Sequence, residues 1–92
     1  MKQILLIEDD PAIADPLAYA LARENWQVVW HDTGIAALAA LQQQAFDCII
    51  LDVGLPDTDG FELCRRIRRD WATPLIFLTA RNEEVDRIVG LE

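Results

Sequence analysis

The sequence predicts an α/β domain: a doubly wound parallel sheet with helices on both faces. Three observations predict it. Short apolar segments at residues 4–7, 26–30, 48–51 and 75–78 read as strands, and the first, third and fourth are unbroken, as suits strands buried on both faces. Helix-patterned segments follow each of them, giving the order βαβαβαβα. Acids or a hydroxyl residue stand where three of the strands end, at the rim where sheets of this kind bind ligands.

Taken in order, Ile4-Leu5-Leu6-Ile7 forms the first strand and stops at Glu8-Asp9-Asp10-Pro11. Asp10 suits a helix N-cap and Pro11 the first helical residue. Ile13, Leu17 and Leu21 then recur every four residues, with Ala14 and Ala18 beside them. Pro16 removes one backbone donor and should bend this helix unless the turn around Ala12 is irregular. Asn25 resembles a left-handed helix stop. Residues 26–30 (WQVVW) make the second strand, and Asp32-Thr33-Gly34 a turn with caps for the next helix. Residues 35–44 are Ala-rich, with Leu38 and Leu41 on one face.

The third strand, Cys48-Ile49-Ile50-Leu51, runs straight into Asp52, and Gly54 to Gly60 form a loop. Phe61, Cys64 and Ile67 give the third helix an apolar stripe, with Arg65, Arg66, Arg68 and Arg69 mostly outward. Thr73-Pro74 precedes the fourth strand, Leu75-Ile76-Phe77-Leu78, which ends at Thr79-Ala80. Residues 82–90 look helical through Val85, Ile88 and Val89.

Bulk properties narrow the function. Ninety-two residues make one domain, and no repeat or linker divides them. Sixteen acids against eight basic side chains give a net charge of −8, which disfavours direct contact with nucleic-acid phosphates. No apolar run approaches membrane-spanning length. Residues 1–9 (MKQILLIED) do not read as a secretory leader, and Cys48 and Cys64 read as reduced packing residues of a cytoplasmic protein.

The strand ends bring Glu8, Asp9 and Asp10, then Asp52, then Thr79 to one rim. Clustered carboxylates repel one another unless a cation or a proton is shared. Hard oxygen ligands suit Mg²⁺, and an Asp carboxylate can accept a phosphoryl group. Gly54 lets its backbone approach such a site closely, and the Thr79 hydroxyl can hydrogen-bond a phosphoryl oxygen. Each feature alone has a plainer reading: a cap cluster, loop chemistry after a strand, a strand-favouring Thr. Their joint placement at one rim favours a site.

With those residues in view, IEDD after strand 1, LDVGLPDTDGFELCR around strand 3 and LTAR after strand 4 resemble the receiver domain of bacterial response regulators, the CheY-like (flavodoxin-like) fold. LDVGLPD, GFELCR and LTARNEEVDR further resemble CreB-like members of the winged-helix (OmpR/PhoB) subfamily. The resemblance covers essentially the whole chain. It implies strand order 2-1-3-4, Asp52 as phosphoacceptor, and Mg²⁺ held by Asp9, Asp52, the Gly54 carbonyl and, mainly through water, Glu8. It also implies that Thr79 and the Ala80 amide contact the phosphoryl group. Asp10 matches no family ligand and remains a cap. The implied partner is a sensor histidine kinase, and DNA is reached only through an output domain outside this sequence.

The family pattern also implies a fifth βα unit that residues 1–92 do not contain, with its active-site lysine, its signalling aromatic and its last helix. Lys2 cannot replace that lysine, since it lies at the other end of the sheet. Strand 4 is then expected to be an open edge beside an apolar face. That face would need a second copy, a domain-swapped dimer or a partner, or else leave the last helix poorly packed.

A haloacid-dehalogenase-type phosphohydrolase is the enzyme alternative. It would need a second acid two residues after Asp52, where Gly54 stands, so no enzyme is expected. A phosphorylation-independent dimerisation or binding module is the other alternative. A Rossmann nucleotide site lacks its glycine-rich loop after strand 1. The arginine-rich run at 65–69 reads as a solvated helix face and His31 as a strand-end surface residue. Trp26 is expected between the first helix and second strand. Trp30 is either an exposed contact residue on an edge strand or partly buried beneath a helix.

Overall fold

The computed structural model describes residues 1–78. Thr79, Ala80 and the expected fourth helix lie outside the described residues. The elements are β1 (Gln3–Ile7), α1 (Pro11–Arg23), β2 (Gln27–His31), α2 (Gly34–Gln43), β3 (Cys48–Asp52), α3 (Gly60–Asp70) and β4 (Leu75–Leu78). All strand pairs are parallel, in the order β2-β1-β3-β4.

Local chemistry sets the element ends. The Asp10 carboxylate accepts the Ala12 N–H at 2.9 Å and caps α1, and Pro11 opens the helix as expected. Pro16 does not interrupt α1. Pro16 and Ala12 are both exposed, so water can serve the carbonyl that the proline leaves without its usual donor. Asn25 takes φ 68°, the left-handed stop. β2 starts one residue later than the sequence suggests, because the Trp26 N–H closes the helix end on the Leu21 carbonyl. The Gln27 N–H is the first to enter the sheet, on Lys2.

The principal core lies on one face of the sheet. Leu5, Ile7, Ile49, Leu51, Leu75 and Phe77 point there and meet Ala37 and Leu41 of α2 and Leu63, Cys64 and Ile67 of α3. On the opposite face Ile4 and Leu6 are buried and Ile50 half-buried, while Ile76 is 39% exposed. β4 therefore alternates rather than being buried on both sides.

α3 departs from the expected stripe in two ways. Phe61 is 49% exposed and rests against Phe77 with ring centroids 4.9 Å apart, so the buried stripe is Leu63, Cys64 and Ile67. Arg68 is half-buried rather than solvated. Its guanidinium donates to the carbonyls of Trp71 (3.1 Å) and Thr73 (2.6 Å), holding the turn into β4.

Candidate acidic site at the carboxyl rim of the sheet

β1 and β3 are neighbours in register, Ile7 opposite Leu51, so the residues that follow arrive side by side at one rim. Asp52 is the last residue of β3 rather than the first of a loop, and it is half-buried. Ladder bonds from both sides hold its strand, so the carboxylate projects from a rigid support. Glu8 is only 1% exposed, Asp9 is exposed, and one carboxylate oxygen from each of Glu8, Asp9 and Asp52 lies within 4.8 Å of the others.

Glu8 is held at nearly every polar atom. Its N–H donates to the His31 carbonyl at 3.0 Å. Its carbonyl accepts the Trp30 indole N–H at 2.7 Å, and its Oε2 accepts the Asp10 N–H at 3.0 Å. Oε1 is buried with no hydrogen-bond partner among the described residues.

Burial pushes the Glu8 carboxyl up to about 7, against the Asp10 amide, which favours the charged form; the charges of Asp52 and Asp9 add to the rise. Burial raises Asp52 as well, followed by the Asp9 charge, while the amides of Val53 and Gly54 pull it back. The buried, unpartnered oxygen and the two raised carboxyls fit a small hard cation. Such an ion would supply the missing partner and cancel the repulsion, and an all-oxygen donor set suits Mg²⁺.

Gly54 is exposed and forms an isolated antiparallel bridge with Asp59. A Cβ there would meet nothing within 4 Å among the described residues, so no close approach among them demands this glycine. Asp10 serves as the α1 cap. Thr79 and Ala80 are not among the described residues, so this rim is defined here by Glu8, Asp9, Asp52 and the loop through Gly54.

Three supporting residues escaped the sequence reading. At Gly60 a Cβ would lie 2.5 Å from the Asp52 carbonyl oxygen and 2.8 Å from the Val53 Cα. Only a glycine lets α3 start so close behind Asp52. Its N–H donates to the Val53 carbonyl at 2.6 Å. The Asp57 carboxylate accepts the N–H groups of Gly34 and Ile35 at 2.9 and 3.0 Å, tying the loop after Asp52 to the start of α2. Trp30 is the third, through its bond to Glu8. The one local signal was DG before the third helix; the Asp57 and Trp30 contacts span 23 and 22 residues.

A model of the response regulator receiver domain matches residues 4–92. The chain belongs to this family. This receiver is 50% identical over 92 residues to the transcriptional regulatory protein AfsQ1 of Streptomyces coelicolor, a match covering 100% of the chain and 41% of AfsQ1. It is 49% identical to the transcriptional regulatory protein CreB of Escherichia coli K12, covering 99% of the chain and 40% of CreB, so the expected likeness to CreB holds. The chain thus spans about two fifths of these relatives' length. The solved response regulator TrrA of Thermotoga maritima, in complex with Mg²⁺-BeF, superposes with a TM-score of 0.83 at 31% identity. That match covers 90% of this chain and 73% of that one. The receiver is a signalling module of two-component response regulators, and the strand order the family implies is the one observed. No helix among the described residues is long and apolar enough to cross a membrane.

Proposed function

We propose that this receiver takes a phosphoryl group on Asp52 from the phosphohistidine of a sensor histidine kinase, and that the modification switches a DNA-binding output domain in a longer cytoplasmic parent. The observation that carries this reading is Asp52 at the end of a rigid strand, beside the buried and unpartnered Glu8 Oε1. Glu8, Asp9, Asp52 and the Gly54 carbonyl would hold Mg²⁺, which when bound supplies positive charge to an anionic donor and keeps Asp52 ionised. An Asp52 carboxylate oxygen forms the new bond to phosphorus as the P–N bond to the donor imidazole breaks. The released electron pair goes to the imidazole nitrogen, which takes up a proton. On the family pattern Thr79 and the Ala80 amide contact the transferred group.

Incubation with acetyl phosphate and Mg²⁺, followed by intact-mass measurement, tests the reading. One added phosphoryl group, absent in Asp52→Asn, supports it. No adduct here or in a parent-length chain removes it.

A second reading, a phosphorylation-independent module that binds a partner or a second copy directly or by domain swapping, draws on Ile76, whose apolar side chain is 39% exposed on the sheet face.

A further inference from the structure

The last two residues of β2 hold both backbone polar groups of Glu8. His31 takes its N–H, continuing the β1–β2 ladder one residue past β1. Trp30, paired with Leu6, swings its indole over the end of the ladder and donates to the Glu8 carbonyl at 2.7 Å. Trp30 as a residue remains 37% exposed, so burial alone does not account for so large an aromatic side chain on an edge strand. The donor is aimed at the one main-chain group between Glu8 and Asp9. With Asp10 holding Oε2, Oε1 is the one polar atom of Glu8 without a hydrogen-bond partner among the described residues, on a carboxylate that lies within 4.8 Å of those of Asp9 and Asp52.

We infer that Trp30 is a positioning residue of the cation site: its indole N–H fixes the Glu8–Asp9 peptide, and with it the two carboxylates that leave β1. A phenylalanine would fill the same space but could not donate. The peptide would then be free to rotate about its flanking bonds, and the carboxylates would reach the cation from a broader set of positions. The inference rests on the proposed Mg²⁺ site and assigns it a residue from a strand that contributes no ligand. The indole proton also becomes a spectroscopic witness of occupancy, because it bonds to the main chain joining two ligands.

The test is an Mg²⁺ titration of the ¹⁵N-labelled chain by NMR, with the Trp30 indole resonance assigned in the parent through its NOEs to the Trp30 backbone. The expected result is that this resonance moves along the same saturable curve as the Glu8 and Asp9 amides. Trp30→Phe should weaken Mg²⁺ about three- to tenfold, as loss of one net hydrogen bond does, while its circular dichroism stays that of the parent. Unchanged affinity in Trp30→Phe would overturn the role of Trp30 and leave the cation site standing. If that variant does not fold, the parent titration still decides: an indole resonance that stays fixed while Glu8 and Asp9 move overturns the inference. Absence of any saturable shift at Glu8, Asp9 and Asp52 overturns the site itself, and Trp30's role with it.

Discussion

Glu8 carries the sharpest electrostatic consequence of the site. Its carboxyl ionises near 7 in the folded chain, against an ordinary value of 4.5. Between those values the folded state holds a proton that the unfolded state has released, so stability must fall as pH rises through that window. Without divalent cation, the melting temperature is expected to drop from about pH 5 to about pH 7 through this group, and Glu8→Gln should flatten that slope. Thermal melts followed by circular dichroism across that range check both. Adding Mg²⁺ at pH 8 should stabilise the parent more than Glu8→Gln, because the cation needs the ionised carboxylate.

The elements explain which parts of this were legible in sequence. β1 and β3 were readable because buried strands need apolar residues in succession, and Ile4–Ile7 and Cys48–Leu51 offer little else. The place of Asp52 was readable because it closes such a run at the same rim where Glu8 and Asp9 follow β1, and their joint placement, not the lone carboxylate, marked it. Asp57 and Trp30 were not, since their partners lie on other elements and no periodicity connects them. Phe61 misled because spacing of three marks a helical face without marking its width, and Leu63 occupies the centre of the true one. The Asp57 contact sets an expectation at this scale. Asp57→Ala leaves two N–H groups at the start of α2 without their acceptor, although Thr33 still caps Ala36. It should cost about 1 kcal/mol, the usual worth of a cap, measured by urea unfolding. Gly60→Ala should cost more, since its methyl group meets backbone at Asp52 and Val53 that has no rotamer to yield. The same urea unfolding should show it lying well below Asp57→Ala in stability.

At the scale of the whole molecule, the two faces of the sheet differ. One meets α2 and α3 over a closed core; the other grades from buried Ile4 and Leu6 to exposed Ile76. If that apolar ground is used between copies, sedimentation should show concentration-dependent association that Ile76→Lys abolishes, with the helical signal retained. A sedimentation coefficient independent of concentration in the parent would exclude the self-associating form of the second reading. Ligand linkage acts on the same scale: Mg²⁺ at one hundred times its Kd should add about 2.7 kcal/mol to unfolding. The Asp57 bridge gives this frame a mechanical property. Because one carboxylate grips the first two amides of α2 from the loop behind Asp52, that helix and that loop form a single linkage. Sliding or tilting α2 at that end must either break those two bonds or pull on residues 52–57, and a push on that loop is delivered to the first turn of α2.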